Sequence, residues 1–485
     1  MCELDLPLKF AQKLYNEFAI RHPNAFYLCT RQRGMQNWDG KIHYITKTGQ
    51  FKIGLLPKVY DMCIGMGIKP KVVDMRQPLP KVSKVVTNIG KYKLRPEQEK
   101  AVKAVINNKI GNTPFHIGVL DYTVNAGKTL IMSSLYLSYK KQLKTLLITN
   151  DSDWLNQARE EFKQYLPGED ITFVQGKVLN WSNFTIGMVQ SISRNMRFYQ
   201  KELSQIDMVL VDEADQGGSK QYQNVITRLF NTRIRIGLSG TIYMSKLAKD
   251  KVKNMNLECF FGKVIAEFKL KDSIKKGYST KTVVKMVPGK PWYGNWESDC
   301  ISYKGIYDDS ITNCYTAWLM AYNRLLWNLN QGRYPALVVC KHIAHCENLY
   351  KFFKKKLGDA YNIAYVHVNT PSKLRQQIMR DFREGKIDIL VSTTIIARGK
   401  NFPKLRYLLN AASMDSQEKS IQFLGRLVRT DKSKKKVYLD DLHYPGPYLD
   451  RHGKHRKQYY QRQELKVILL DKLWKKHPNH SLIKS

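Results

Sequence analysis

The stretch from Val119 to Leu130 constrains the fold more than any other part of the chain. Apolar residues run up to it from Phe115, which predicts a short buried strand. Small and polar residues follow, then Gly127-Lys128-Thr129, and then an apolar spacing that predicts a helix. A strand, a tight loop containing Gly-Lys-Thr and a helix together form the layout of a phosphate-binding loop. The stretch therefore predicts a phosphate site.

The residue types of this loop suit the chemistry of a nucleotide. Backbone N–H groups at the turn and at the helix N-terminus, which Asn125 and Ala126 lead into, point at phosphate oxygens. Lys128 offers a positive charge to the β- and γ-phosphates, and the Thr129 hydroxyl can ligate magnesium. The usual pattern has a glycine where Tyr122 stands. By itself, the stretch also fits an ordinary strand–turn–helix with a surface lysine.

Length and charge narrow the class of protein. The chain has 485 residues, which predicts two to four domains. It carries 80 Lys and Arg against 41 Asp and Glu, a formal net charge of +39. Such an excess indicates a polyanionic partner, and nucleic acid is the first candidate. A basic protein of the membrane surface is the alternative, but the sequence has no apolar run long enough to span a bilayer and no signal peptide at its start.

The eight cysteines are scattered, and none forms a Cys-x-x-Cys pair. In a chain of this size, that usage predicts reduced thiols in a cytosol-like compartment.

Two adjacent acids follow a second buried strand. The apolar run Met208–Val211 leads directly into Asp212 and Glu213, so a parallel sheet would present both at its carboxyl edge, where ligands bind. Asp212 can hold magnesium, and Glu213 can orient and deprotonate the water that attacks the γ-phosphate. The alternative is an acidic helix N-terminus, which the helix dipole favours.

Two further sites fit the same nucleotide. Gln98 lies at the entry of a predicted helix, and its amide can read an adenine edge. The strand Ile234–Leu238 ends in Ser239-Gly240-Thr241, where the hydroxyls of Ser239 and Thr241 could sense the γ-phosphate. The alternatives are an ordinary helix residue and a strand-end turn.

In this order and at these strand ends, Gln98, Gly127-Lys128-Thr129, Asp212-Glu213-Ala214-Asp215 and Ser239-Gly240-Thr241 resemble the motifs of superfamily 2 helicases. The resemblance implies ATP and Mg²⁺ as cofactors and a matching second lobe. There it implies nucleotide contacts at Gly399 and Asn401, although many relatives carry an Asp where Asn401 stands. It also implies two arginine fingers, Arg426 and Arg429, which we expect on one face of a helix.

The implied fold is α/β, with two RecA-like parallel-sheet lobes in tandem. Alternating strands and helices support it, because helices then cover both faces of each sheet. A small α+β N-terminal module precedes the lobes, with strands predicted at 26–28 and 42–45, and a short helical C-terminal tail follows them. The predicted boundaries are 1–84 for the module, 85–268 and 269–446 for the lobes, and 447–485 for the basic tail.

The N-terminal module, with Asn37–Lys41 and Gly54–Pro57, and the basic tail resemble those of the UvsW-type phage recombination helicases. This resemblance implies action on branched DNA: unwinding, branch migration, fork regression and annealing, in recombination, repair or replication. It also implies the host-cell cytoplasm. The alternatives are a DNA-binding and annealing protein with a weak or regulatory ATPase, and an RNA helicase, although RNA is the less favoured partner.

Basic and aromatic residues supply the candidates for contact with nucleic acid. The predicted contacts are Arg33, Trp38, Lys41, Gln190, Thr393, Arg456 and Tyr459. For the module the alternative is a solvated basic face, and for the tail it is packing against the second lobe.

Overall fold

The computed structural model describes residues 2–5, 7–31, 37–139, 142–176, 178–242, 248–289, 302–397, 402–431 and 433–470. The predicted contacts of Arg33, Gly399 and Asn401 lie outside these residues. The chain divides into two compact units, Met1–Lys269 and Leu270–Ser485. The predicted finer division at residues 84 and 446 stays a prediction.

The first unit opens with short elements. Its first helices are α1 Leu8–Glu17, α2 Ala25–Arg31 and α3 Leu56–Gly65. Its first strands form three antiparallel pairs: β1 Ala19–Arg21 with β2 Lys41–His43, β3 Asn88–Ile89 with β4 Tyr92–Lys93, and β5 Lys109–Ile110 with β6 Thr113–Pro114. Leu14, Phe18 and Val59 join the same hydrophobic cluster as Val119 and Leu146. The N-terminal segment therefore shares the core of the first unit.

The strand predicted at 26–28 is wrong, because these residues lie in α2. The helix buries Ala25, and a Cβ added at Gly40 would lie 3.0 Å from the Cβ of Ala25, so the two segments are in close contact. Phe26 faces solvent with 79% of its surface exposed. A short apolar run does not distinguish a strand from a helix by periodicity.

An eight-stranded sheet forms the centre of the first unit, in the order β10-β9-β11-β8-β12-β13-β7-β14. Its strands are β7 Ile117–Tyr122, β8 Thr145–Thr149, β9 Ile171–Gln175, β10 Val178–Leu179, β11 Phe184–Met188, β12 Met208–Asp212, β13 Ile234–Ser239 and β14 Val264–Phe268. Only the edge strand β10 is antiparallel among these strands. The helices of this part are α4 Pro96–Ile106, α5 Lys128–Ser138, α6 Ser152–Tyr165, α7 Val189–Arg194, α8 Gln200–Ser204, α9 Lys220–Ile226 and α10 Ala248–Phe261.

The second unit contains a seven-stranded, fully parallel sheet in the order β17-β18-β16-β19-β20-β15-β21. Its strands are β15 Lys281–Pro288, β16 Ala336–Cys340, β17 Ile363–Val366, β18 Ile389–Thr393, β19 Tyr407–Asn410, β20 Lys436–His443 and β21 Val467–Leu469. Its helices are α11 Leu270–Lys275, α12 Tyr303–Tyr307, α13 Tyr315–Leu329, α14 Ile343–Leu357, α15 Ser372–Glu384, α16 Gln417–Leu427 and α17 Leu449–Arg462. The predicted α/β architecture of two parallel sheets is confirmed.

The C-terminal segment is part of the second unit's core. The Arg456 side chain is fully buried and pairs with Asp441, whose Oδ1 lies 2.9 Å from Arg456 Nε and 2.8 Å from Nη2. Tyr459 is only 5% exposed, and its hydroxyl donates to Asp415 at 3.3 Å. Nucleic-acid contact by Arg456 and Tyr459 was therefore a wrong prediction, because neither side chain reaches the surface.

Across the described ranges, no helix combines the length and the apolar character that a membrane crossing requires. The seven cysteines within those ranges are free thiols.

Candidate active site

The loop after β7 has the backbone shape of a phosphate cradle. Asn125 and Gly127 adopt left-handed conformations, with φ of 63° and 72°. Helix α5 begins at Lys128, so the unbonded N–H groups of its first turn face the loop. A Cβ added at Gly127 would lie 2.3 Å from Gln98 Nε2. Both the backbone angle and the space therefore call for glycine at this position.

Gln98 connects the phosphate loop to the start of α4 through two hydrogen bonds. Its Nε2 donates to the Ala126 carbonyl at 2.8 Å, and its Oε1 accepts from the Arg95 N–H at 2.8 Å. The side chain is buried, and both ends of its amide are already bonded within the protein. The structure thus assigns Gln98 to holding the loop, and adenine contact by Gln98 stays a prediction.

Tyr122 replaces the glycine of the usual pattern without filling the cradle. Its ring is buried, and its hydroxyl donates to the Glu97 carbonyl of α4 at 2.8 Å. Burial, with a smaller effect of Glu97, raises the pKa of this hydroxyl. The side chain thus packs β7 onto α4, while Asn125 and Gly127 give the loop its shape.

The two predicted acids lie at the carboxyl end of β12. Asp212 is 4% exposed, and within the described residues nothing donates a hydrogen bond to its Oδ1. Burial raises the pKa of this carboxyl, while Lys128 opposes the rise. A buried carboxylate oxygen without a donor suits a hard divalent cation such as Mg²⁺. Thr129, in the first turn of α5, offers a second oxygen.

Glu213 is in a left-handed conformation with φ of 51°. A non-glycine residue there costs on the order of 1–3 kcal/mol, and such strain concentrates at functional sites. The left-handed conformation of Glu213 turns the chain sharply out of β12 into the short 3₁₀ helix Ala214–Gln216.

The end of the next strand, β13, is hydrogen-bonded to a third acid, Asp215. The Ser239 hydroxyl donates to Asp215 Oδ1 at 2.7 Å and lies 3.0 Å from the Thr241 hydroxyl. A Cβ added at Gly240 would lie 3.0 Å from Thr123 Cα at the start of the phosphate loop. The Ser239–Thr241 segment therefore contacts both Asp215 and the start of the phosphate loop, and the coupling role of Ser239 and Thr241 stays a prediction.

Tyr222 of α9 is a neighbour of the acids that sequence reasoning missed. It is 1% exposed, and its hydroxyl has no hydrogen-bond partner among the residues that the structure describes. Burial raises its pKa, and Glu213, Asp212 and Asp215 add to the rise. A lone tyrosine in a seven-residue helix gives no signal in sequence that it approaches these carboxylates.

Gln190, a predicted nucleic-acid residue, stands at the start of α7 after β11. Its Nε2 donates to the Asn150 carbonyl at 3.5 Å, and the Asn150 amide in turn donates to the Gln216 side chain. The residue thus lies at the same carboxyl edge as the acids, and its nucleic-acid contact stays a prediction.

Trp38 and Lys41 lie together on the N-terminal segment. The Trp38 indole N–H donates to the Lys41 carbonyl at 2.9 Å, while the Lys41 side chain is exposed. Their contact with nucleic acid stays a prediction.

In the second unit, a cavity of about 370 Å³ lies at the carboxyl ends of β16, β18 and β19. Its lining is Tyr303, Lys341, His342, Thr394, Met414, Asp415, Ser416, Lys419 and His452. Thr393, the predicted contact, is only 7% exposed, and its neighbour Thr394 faces the cavity and accepts from Lys419 Nζ at 3.2 Å. Sequence reasoning missed Lys341 and Lys419, because single lysines are common in this chain.

Arg426 and Arg429 were expected on one face of a helix, and this expectation is wrong. Helix α16 ends at Leu427, so Arg426 occupies its last turn and Arg429 lies beyond it. Thr280 holds this end through its N–H to the Val428 carbonyl at 2.8 Å and its hydroxyl to the Arg429 carbonyl at 3.1 Å. Both arginine side chains are partly exposed.

Comparison with known proteins gives two family matches. Residues 91–244 match the family described as the res subunit of type III restriction enzymes, and residues 319–431 match the helicase conserved C-terminal domain. The first match contains the phosphate loop, the acids and Ser239–Thr241. The second contains Thr393, Arg426 and Arg429.

Among individual proteins, the chain is 22% identical over 436 residues to the ATP-dependent DNA helicase uvsW of Enterobacteria phage T4, covering 84% of this chain and 82% of that protein. It is 22% identical to "Putative helicase 22" of Sulfolobus islandicus filamentous virus, covering 73% of this chain but only 64% of the relative. The fold matches Saccharomyces cerevisiae Dbp5 bound to RNA and ADP BeF3, with a TM-score of 0.53, 15% identity, and coverage of 79% of this chain and 92% of that one.

Proposed function

This chain belongs to the superfamily 2 helicase ATPases, and we propose that it hydrolyses ATP to move along DNA and to remodel branched DNA by unwinding, branch migration and fork regression. The observation that carries the proposal is the Asp212 Oδ1 atom, buried without a donor among the described residues, at the end of the strand next but one to the phosphate loop. Keeping a carboxylate oxygen in that state costs stability, and a bound Mg²⁺ would compensate this cost.

The residues of the first unit divide the work of hydrolysis. Lys128 and the N–H groups at the start of α5 hold the phosphates, and Glu213 orients the attacking water and accepts its proton. Asp212 and Thr129 would hold Mg²⁺, which when bound neutralises charge on the phosphate oxygens. Loss of the γ-phosphate would be sensed by Thr241 and passed through Ser239 to Asp215.

Arg426 and Arg429 of the second unit complete the set in this proposal. Their guanidinium groups neutralise charge that develops on the phosphates. A contribution on the order of 10³- to 10⁵-fold in rate is typical of such arginines.

The net charge of the chain and the names of its relatives support DNA as the nucleic acid along which the protein moves. A net charge of +39 suits a polyanion that is bound mainly through its backbone. The phage T4 relative is named a DNA helicase, and the module that resembles UvsW-type enzymes points to branched substrates. RNA is the second candidate, because a protein of the same fold is bound to RNA.

The other reading is a DNA-annealing protein with a weak ATPase. Its support in the sequence is the pair of altered motif residues Tyr122 and Asn401, of which Asn401 lies outside the described residues. Because Tyr122 points away from the cradle onto Glu97, this residue does not weaken the phosphate site. Active hydrolysis is therefore the better-supported proposal.

Two substitutions test the ATPase. Lys128→Ala removes the phosphate contact, and Glu213→Gln removes the base, so each should abolish DNA-stimulated phosphate release while DNA affinity stays within about threefold. Lys109→Ala, an exposed lysine on β5, is the matched control and should behave as wild type. Normal turnover in Glu213→Gln would contradict the mechanism.

The choice of track is tested by stimulation of ATP hydrolysis. Single-stranded DNA, forked DNA, a four-way DNA junction and RNA of equal length are compared at one salt concentration. Branched DNA should stimulate most strongly, and a clear preference for RNA would refute the DNA proposal.

A further inference from the structure

A group of cations lies around a half-exposed tryptophan on the second unit, away from the cavity at the carboxyl edge of its sheet. We call it the basic–aromatic patch. It consists of Lys281, Lys285, Arg324, Trp327, Arg333 and Lys436. The cationic groups of Lys285, Arg333 and Arg324 lie 4.6, 4.7 and 5.0 Å from the centre of the Trp327 ring, which is 42% exposed. Arg333 also lies 3.6 Å from the ring centre of Tyr438.

Sheet register places these cations side by side. Lys281 is paired with Lys436 and Lys285 with Asp440 across β15 and β20, so these side chains share one face of the sheet. Trp327 and Arg324 of α13 lie over the same face, because Lys285 is in contact with Trp327. The adjacent Lys281 and Lys436 repel one another, a cost that the fold itself does not require.

Among the described residues, Asp440 is the carboxylate that acts on Lys285, and it does not balance the patch. Asp440 is buried and bound to Arg324, at 2.6 Å from Nη2, and it also accepts from Asn328 and Tyr407. Burial and the neighbouring Arg324, Arg333 and Lys436 hold the pKa of Lys285 below its ordinary value, although Asp440 opposes them. Two cations, Lys285 and Arg333, thus remain around Trp327 beyond the one that Asp440 neutralises, and Lys281 and Lys436 add two more to the patch.

The patch is at the opposite edge of the sheet from the cavity, on the side where Thr280 contacts the Val428 and Arg429 carbonyls. Lys281 and Lys436 are the first residues of two parallel eight-residue strands, and Arg333 precedes β16. At about 3.3 Å per residue, the carboxyl edge lies roughly 20–25 Å from these first residues. A ligand of the patch is therefore distinct from whatever the carboxyl edge binds.

The dimensions of the patch favour an extended polyanion. Lys281 and Lys285 are four residues apart on one strand, about 13 Å. Duplex DNA presents a charge about every 1.7 Å of its axis, so one duplex would meet several of these cations at once. An exposed aromatic face among cations is also typical of nucleic-acid surfaces.

We propose that the basic–aromatic patch binds the backbone of a second DNA segment, one arm of a branched substrate, while the carboxyl edge engages the tracked strand. This inference rests on the proposed function and gives it a physical basis: two separate DNA surfaces let one chain hold two arms of a junction.

The test is the triple variant K281Q/K285Q/K436Q, which removes three charges but leaves the buried Arg324–Asp440 pair intact. The matched control is K351Q/K355Q/K356Q, which removes three lysine charges from α14 of the same unit. The probes are a fluorescent four-way DNA junction and a fluorescent 12-nucleotide single strand, each titrated at several salt concentrations.

We expect the patch variant to bind the junction at least tenfold more weakly, with the slope of log K against log salt reduced by about 2–3. The affinity of the patch variant for the 12-nucleotide strand should stay within twofold of wild type. Its Tm should not fall, since removing three neighbouring positive charges relieves their mutual repulsion. The control should keep junction binding within about twofold. If the patch variant matches the control on the junction, or loses affinity for both probes equally, the inference is wrong.

The same experiment separates this inference from the proposed function. If the wild type hydrolyses no ATP with any DNA, the proposed function fails, while the junction titration still reports on the patch. An unlabelled poly-glutamate competitor tests the alternative that the patch binds an acidic protein. If it displaces the junction from wild type more effectively than a second unlabelled duplex does, a DNA site is refuted.

Discussion

At the scale of single residues, the phosphate loop depends on the absence of one carbon atom. Gly127→Ala should strongly reduce ATP binding, because the new Cβ would combine a left-handed backbone with a 2.3 Å approach to Gln98 Nε2. Gly168 has φ of 81° and nothing within 4 Å of an added Cβ, so Gly168→Ala carries the backbone cost alone. ATP affinity measured by calorimetry should fall at least tenfold in Gly127→Ala and less than twofold in Gly168→Ala.

The double variant Gly127→Ala/Gln98→Ala identifies the cause of this loss. It removes the atom that the new Cβ would meet, so ATP affinity should recover in part above that of Gly127→Ala alone. No recovery would mean that backbone strain, and not the contact with Gln98, controls the loop.

A site residue could be predicted from the sequence where its own strand places it. It could not be predicted where a partner elsewhere in the fold places it. Asp212 and Ser239 were placed correctly because each ends a buried strand, and parallel strands end at one edge. The hydrogen bond from the Gln98 amide to the Ala126 carbonyl could not be predicted, since that carbonyl takes its position only once the loop has folded. Tyr222 is 10 residues or fewer from the acids in sequence, yet no local pattern directs its hydroxyl toward them.

At the scale of elements, the end of α16 is fixed by a buried lysine. Lys434 Nζ donates to the carbonyls of Pro403, Leu405 and Leu427 at 2.8, 3.1 and 3.0 Å. Burial, with Arg406 and Arg429 adding to it and Asp431 opposing, lowers the pKa of Lys434 to about 8. This lysine therefore loses its proton far more readily in the folded protein than in the unfolded chain.

The sign of the pH effect follows from proton binding. Between pH 8 and about 10.5 the unfolded chain holds this proton and the folded protein does not, so the free energy of unfolding rises with pH across that window. Relative to Lys434→Met, which lacks the titrating group, wild type should gain roughly 3 kcal/mol at most. Urea unfolding at pH 7.5, 9 and 10 measures the difference, and a difference that shrinks as pH rises would contradict the assignment.

Helix α17 is attached to the sheet by its buried arginine. Arg456→Leu should lower the free energy of unfolding by about 3–5 kcal/mol, because Asp441 is left buried without its cation. Arg462→Leu, an exposed arginine in the last turn of the same helix, should change it by less than about 0.5 kcal/mol. Urea unfolding compares the two variants, and an equal effect of both would show that burial of the ion pair is not what attaches α17.

The sequence of α17 explains why its role was misjudged. Its many basic residues indicate a nucleic-acid surface. Only the parallel packing of β20 against β15 and β19 buries Asp441, which then accepts from Arg456, Tyr460 and Asn410. Charge patterning along one element does not reveal a partner on another.

At the scale of the whole molecule, the residues that we propose for ATP hydrolysis fall within both family matches. Lys128 lies within residues 91–244 and Arg426 within 319–431. Arg426→Gln should leave ATP affinity within about threefold and reduce turnover by on the order of 10³-fold or more, because the arginine acts on charge that develops during hydrolysis.

Mixing two inactive variants tests whether one chain supplies the whole site. If Lys128 and Arg426 act on the same nucleotide within one chain, an equimolar mixture of Lys128→Ala and Arg426→Gln contains no intact site and should remain inactive on DNA at every protein concentration. If the arginine came from a second copy, a fraction of the mixed assemblies would pair an intact Lys128 with an intact Arg426. Turnover would then recover to as much as about a quarter of wild type and rise with concentration. Recovery of that kind would refute the single-chain site, while its absence, together with inactivity of each variant alone, supports a motor whose two units act on one ATP.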